Sequence, residues 1–206
     1  MMRPMGTVVP LPPDGLLGEA DGATLASIAV GSVRARLVGE PLADGVPEAA
    51  ALRSPGASFV TLERRGRLRG CVGTLRATRA LYLDVIRNAL RAMIDPRLPP
   101  VDKDDWPELD VKVSVLTVPT PVEARDRQAL LATLRPGVDG LLLTDGSRRA
   151  TFLPAVWQRL TEPADFVAAL LLKGGWPAGD WPAGLTAHRY TAYEYHNPAP
   201  RNPITG

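Results

Sequence analysis

The sequence predicts an α+β fold with a mainly antiparallel sheet and flanking helices, and three observations carry that prediction. Two tight turns, Arg64-Arg65-Gly66 and Asp145-Gly146-Ser147, lie between apolar runs of strand length. Val111, Val113 and Val115 alternate with Lys112, Ser114 and Leu116, the period-two signature of a strand with one buried face. Helical periodicities fall between these strands without a regular βαβ repeat, which favours hairpin-connected strands over a parallel sheet.

The elements follow in order. Residues 1–20 are rich in Pro and Gly and read as a flexible arm. Thr24 is placed to cap a helix carrying Leu25, Ile28, Ala29, Val33 and Leu37 on one stripe. Residues 39–57 read as a loop, and Ser58 to Leu62 as a strand that turns at Arg64-Arg65-Gly66 into a returning strand, Arg67 to Thr74. Leu81, Val85, Ile86, Ala89, Leu90 and Met93 give a second amphipathic helix, ended by Asp95-Pro96 because the residue before proline avoids helical geometry. Pro119 and Pro121 end the strand that begins at Asp110. A short helix over 127–134, the hairpin 141–153, a helix over 165–172 stopped by Gly174-Gly175, and a last strand from Ala187 to Tyr195 complete the chain, with a loose tail after Asn197.

Composition narrows the function classes. The 206 residues can bury one good core, and 45% hydrophobic with 22% charged residues fits an ordinary globular protein. A net charge of +2 and 5% aromatics argue against a nucleic-acid partner and against a stacking platform. One cysteine cannot form an internal disulfide, which points to a reducing cytoplasmic location. With 2 His and 1 Cys, a zinc site of His and Cys lacks ligands unless carboxylates join, so no metal is predicted, and the cofactor is unknown. No apolar run is long enough to span a membrane, and the start has no signal-peptide core.

The lone Cys71 stands between Gly70 and Gly73, two residues after Arg69 and three before Thr74. Glycines without a Cβ let another group approach the backbone, and a neighbouring cation favours the reactive thiolate. Arg69 and Cys71 share a face on an ideal strand. Gly70 and Gly73 can expose N–H groups to an anion, and the Thr74 hydroxyl can donate to an oxyanion. The plain alternative is a small buried hydrophobe in a strand exit shaped by its glycines. Asp95 and Arg97 flank Pro96 either as a helix-ending turn with a local ion pair or with Arg97 as an anion clamp near the cysteine loop. Arg149, just after the turn of the second hairpin, is a further candidate contact for a small-molecule substrate, against the plain reading of a solvated arginine. His188 is the sole candidate base for a Cys–His dyad, because His196 falls toward the tail; an ordinary cleft histidine accounts for it as well. Asp102, Asp104 and Asp105 read as a solvated acidic run and Trp157 as core, while Asp139 beside Gly140 fits a turn at least as well as a metal ligand.

Five ordered segments also resemble a known family: Leu68-Arg69-Gly70-Cys71-Val72-Gly73-Thr74, Asp95 to Pro100, Leu109 to Leu116, Arg135 to Leu141, and Arg148 to Pro154 with Trp157. They are similar to the AMMECR family, called in bacteria and archaea the AmmeMemoRadiSam system protein A, over about residues 22–195. Leu98 departs from the family's usual Phe, and Leu171 stands where many members carry a second Cys, which weakens any dithiol scheme. The resemblance implies a larger sheet-containing lobe with a smaller lobe, a domain over 21–196 and a C-terminal tail over 197–206. It also implies association with Memo-like and radical-SAM proteins, and carries no settled reaction. Two functions therefore stand: an enzyme or enzyme-complex subunit acting on a small metabolite through Cys71, and a regulatory or adaptor domain that docks a protein or nucleic acid.

Overall fold

The computed structural model describes residues 17–179 and 181–204; the bulk of the expected N-terminal arm lies outside them. The fold is α+β, as predicted. The chain divides into two compact units, one running to Leu116 and resuming at Tyr193, the other spanning Thr117–Ala192.

In the first unit, α1 (Glu19–Val38) and α3 (Leu81–Ala92) pack on a five-stranded sheet. Its order is β2 (Arg67–Gly73), β1 (Pro55–Arg64), β4 (Leu109–Leu116), β9 (Ala192–Asn197), with the two-residue β3 (Arg79–Ala80) against the start of β1. β1 pairs antiparallel with β2, β3 and β4. Period-two alternation turns Val60, Leu62, Val111, Val113 and Val115 toward the helices, where they meet Leu25, Ala29, Val33, Leu81 and Val85 in one buried cluster. The turn joining β1 to β2 has positive φ at both Arg65 (50°) and Gly66 (71°), the conformation a two-residue hairpin needs.

In the second unit, β5 (Thr120–Val122), β8 (Thr186–Tyr190), β6 (Gly140–Thr144) and β7 (Arg149–Phe152) form an antiparallel sheet. Helices α4 (Arg127–Thr133) and α5 (Pro163–Lys173) complete its core. Trp157 is core, as expected: it stacks on Phe166 at 3.9 Å and donates its indole N–H to the Asp139 carbonyl at 2.7 Å.

Several expectations are corrected. Thr24 does not cap α1, which begins at Glu19; its hydroxyl bonds back to the Ala20 carbonyl within the helix. The loop 39–57 contains a helical turn, α2 (Ala50–Arg53), and the start of β1. Pro121 lies within β5 rather than ending a strand. Ser114 and Leu116 are buried, so β4 is covered on both faces at its far end. The final strand is two, β8 and β9, in different sheets, separated at Thr191. Nor is the segment after Asn197 loose: Arg201 lies 5.3 Å over the Trp106 ring and donates to Leu109 and Asn197, while the Ala199 N–H reaches Asp110 at 2.8 Å.

Candidate functional site

Cys71 lies in β2, half-buried, in register with Thr61 of β1. Val72 packs with the helix-covered core, so alternation turns Cys71 to the opposite face of the sheet. The Thr61 hydroxyl donates to the Cys71 Sγ at 3.3 Å. Thr61 is also in register with Lys112 of β4, which gives a row of thiol, hydroxyl and ammonium across three strands. Two strand spacings separate the ends of that row, ~10 Å. Glu63 holds the Lys112 ammonium at 2.9 Å, and this hydrogen bond raises the lysine's pKa, so it stays charged.

Asp95 and Arg97 hold both backbone polar groups of Cys71, its N–H and its C=O. The buried Asp95 carboxylate accepts the Cys71 N–H at 3.1 Å, and Arg97 Nη2 donates to the Cys71 carbonyl at 3.1 Å. The two clasp residues also pair with each other at 2.6 Å. Hydrogen bonds from Arg97 hold the Asp95 carboxyl well below the usual carboxylate range, against burial, with the Cys71 and Arg97 N–H groups adding to the effect. Arg97 in turn is pushed up, first by its hydrogen bond to Asp95. The turn that ends α3 is thus both a helix stop and a clasp, and Arg97 keeps most of its side chain in solvent (65% exposed).

Other candidates are used differently from their sequence reading. Arg69 is the residue β2 carries in excess at a bulge, where Leu62 pairs with Gly70 but Glu63 with Leu68. Its guanidinium is taken up by Asp105 at 2.6 Å and the Pro100 carbonyl at 3.2 Å. Gly70 and Gly73 make room for the protein itself. A Cβ on Gly70 would lie 1.8 Å from the Ala92 carbonyl oxygen, and one on Gly73 would strike the Phe59 ring at 2.2 Å. Thr74 donates to the fully buried Asp84 at 2.5 Å, so its hydroxyl is committed inward; Ser58 and Asn88 bond the same carboxylate oxygen. Asp105 is buried between Arg64 and Arg69, so the acidic run is not simply solvated. Asp139 is also buried, gripped by Arg135 at 2.6 Å.

Arg149 belongs to the second unit, exposed on β7, whereas Cys71, Asp95 and Arg97 all belong to the first. His188 is also in the second unit, with its Nδ1 buried and without a hydrogen-bond partner among the described residues. His196 sits in β9, bonded to Glu194 at 2.7 Å, rather than in a tail. Leu171 is fully buried in the second core. Of the four arginines Arg64, Arg65, Arg67 and Arg69, three are drawn into ion pairs with Asp105 and Glu108. Among the described residues, no helix is long and apolar enough to cross a membrane.

Sequence reasoning missed Thr61, Glu63 and Lys112. Their signal is a polar residue at alternate positions of two apolar strands, but only the pairing register aligns them with Cys71.

Comparison with known proteins gives one consistent family. The AMMECR1 family model matches residues 26–195. A protein of Methanothermobacter thermautotrophicus is 36% identical over 166 residues, covering 78% of this chain and 85% of its own length. One from Thermotoga maritima is 38% identical over 144 residues, covering 66% and 76%. The crystal structure of an uncharacterised protein from Pyrococcus horikoshii superposes with a TM-score of 0.82 at 27% identity, covering 92% of this chain and 97% of that one.

Proposed function

The chain belongs to the AMMECR1 family, and from that premise we propose that it is an enzyme, or a subunit of an enzyme complex, acting on a small metabolite through Cys71. The observation that carries this reading is the clasp: a half-buried cysteine on the sheet face away from the helices, its backbone N–H and C=O held by Asp95 and Arg97. A reactive group held by locked neighbours is pre-organised for attack. The hydroxyl of Thr61 and the cations Arg97 and Lys112 favour an anionic, carbonyl-bearing substrate, because they supply donors to negative charge near the sulfur. In such a step the thiol loses its proton to solvent, the sulfur bonds the carbonyl carbon, and the π pair moves to oxygen. Memo-like and radical-SAM proteins are the proposed partners, and a reducing cytoplasm the proposed location.

Two alkylating reagents test the site. Iodoacetate is anionic and iodoacetamide neutral, and both are expected to react with the one thiol of the native chain. The ratio of their rates is expected to exceed that of a free thiol, but by less than the about threefold (about 0.6 kcal/mol) of an unpaired unit charge roughly 7 Å away in a water-like medium, because Asp95 and Glu63 pair the two cations. Arg97→Met and Lys112→Met should each lower the ratio. A thiol that reacts only after unfolding would make Cys71 a packing residue. Turnover screening of carbonyl-bearing anions with wild type and Cys71→Ser follows. A partner captured equally by both proteins, with no turnover, would favour an adaptor domain instead.

A further inference from the structure

The first unit carries a groove of about 460 Å³ remote in composition from the cysteine site. The C-terminal turns of α1 and α3 form two of its sides, and the segment around Val101 forms the third. Its floor is apolar: Leu37, Leu90, Met93 and Ile94, with Ile94 63% exposed. Its rim is cationic: Arg36, Arg91 and Lys103. None of these three cations makes an ion pair among the described residues, whereas Arg64, Arg65, Arg69 and Arg97 of the same unit all do. The one acid at the rim, Asp102, turns its carboxylate to the N–H groups of Asp104 and Asp105, at 2.9 and 3.2 Å.

We propose that this groove binds a small anionic amphiphile, a carboxylate on a short apolar chain, with the chain over Leu37, Leu90 and Ile94 and the head group among Arg36, Arg91 and Lys103. Arg36 and Arg91 also complement the helix ends they sit on. Lys103 has no helix end to serve, and helix-end chemistry does not call for an exposed isoleucine between the cations. The volume falls within the ~300–1,000 Å³ that single small ligands occupy, and three unpaired cations against one self-satisfied acid fix the sign of the head group.

The test uses the full chain and decanoate, with decanol as the uncharged control and inorganic phosphate as the control without a tail. Titration calorimetry and the methyl resonances of Leu37 and Ile94 report binding. Decanoate is expected to shift both methyls and to bind on the order of tenfold more tightly than decanol, with affinity falling as salt is added. The exposed double variant Arg36→Glu with Lys103→Glu should weaken decanoate on the order of tenfold and leave decanol unchanged. No decanoate binding, equal binding of decanol, or binding indifferent to the double variant would overturn the proposal. A concentration-dependent dimer abolished by the double variant would assign the face to self-association and overturn it too. Cys71→Ser should bind decanoate like wild type, so this outcome and that of the cysteine chemistry are read separately.

Discussion

Gly70→Ala is expected to destabilise the first unit by about 3 kcal/mol or more, the upper end of what overpacking costs. A Cβ at this position would lie 1.8 Å from the Ala92 carbonyl oxygen and 2.8 Å from its carbon. Those atoms are backbone in the last turn of α3, so relief requires the helix or the strand to move. Movement of the strand disturbs the pairing that sets Cys71 opposite Thr61. Gly73→Ala meets the ring of Phe59, a side chain that can turn, and should cost about 1–2 kcal/mol. Urea unfolding of the two variants checks the order. A Gly70→Ala midpoint within the range of ordinary surface substitutions, ~0.5 kcal/mol, would mean that α3 is not held against β2 as described.

Asp95→Asn should give the second large effect and a pH signature. The carboxylate is buried and accepts the Cys71 N–H, the Arg97 N–H and two guanidinium contacts. Removing its charge weakens charge-assisted bonds, each worth about 1.5–3 kcal/mol, although the exposure of Arg97 keeps the loss toward the lower figure. Because Arg97 and the N–H groups hold the folded-state pKa of Asp95 below its unfolded value, the contribution is complete above the unfolded pKa, ~3.9. It is lost as pH falls toward the folded value. The stability gap between wild type and Asp95→Asn should therefore be level above about pH 5 and shrink progressively below about pH 4. A gap that is constant down to the acid limit, or that widens on acidification, would contradict the ion pair.

What the sequence disclosed follows physical range. Strand alternation, helical stripes and turn residues act over a few positions, so β1, β2, α3 and the second hairpin were legible at the level of existence and type. The clasp was legible only in half. Asp95 and Arg97 are two residues apart and announce a local pair, but their grip on Cys71 spans 24 and 26 positions. Thr74 looked like an oxyanion donor because nothing nearby in the chain claims its hydroxyl; Asp84, which does, is brought beneath it by α3. The bulge at Arg69 defeated the two-residue rule that put its side chain beside the thiol. Ala187 to Tyr195 kept one continuous strand pattern while belonging to two sheets. The break at Thr191 rests on bonds to Thr117, 74 positions earlier, which no periodicity reveals.

That pair of threonines has a consequence for biosynthesis. The chain leaves the first unit after Leu116 and rejoins it at Tyr193, and the outgoing and returning strands are tied together at Thr117 and Thr191. The intervening 117–192 portion has its own sheet and its own core, all encoded contiguously. The first unit lacks β9 until the whole 117–192 portion has been translated. During synthesis the earlier-encoded part of the first unit therefore exposes the edge of β4 while the whole intervening portion is made, and an unpaired edge is open to mispairing.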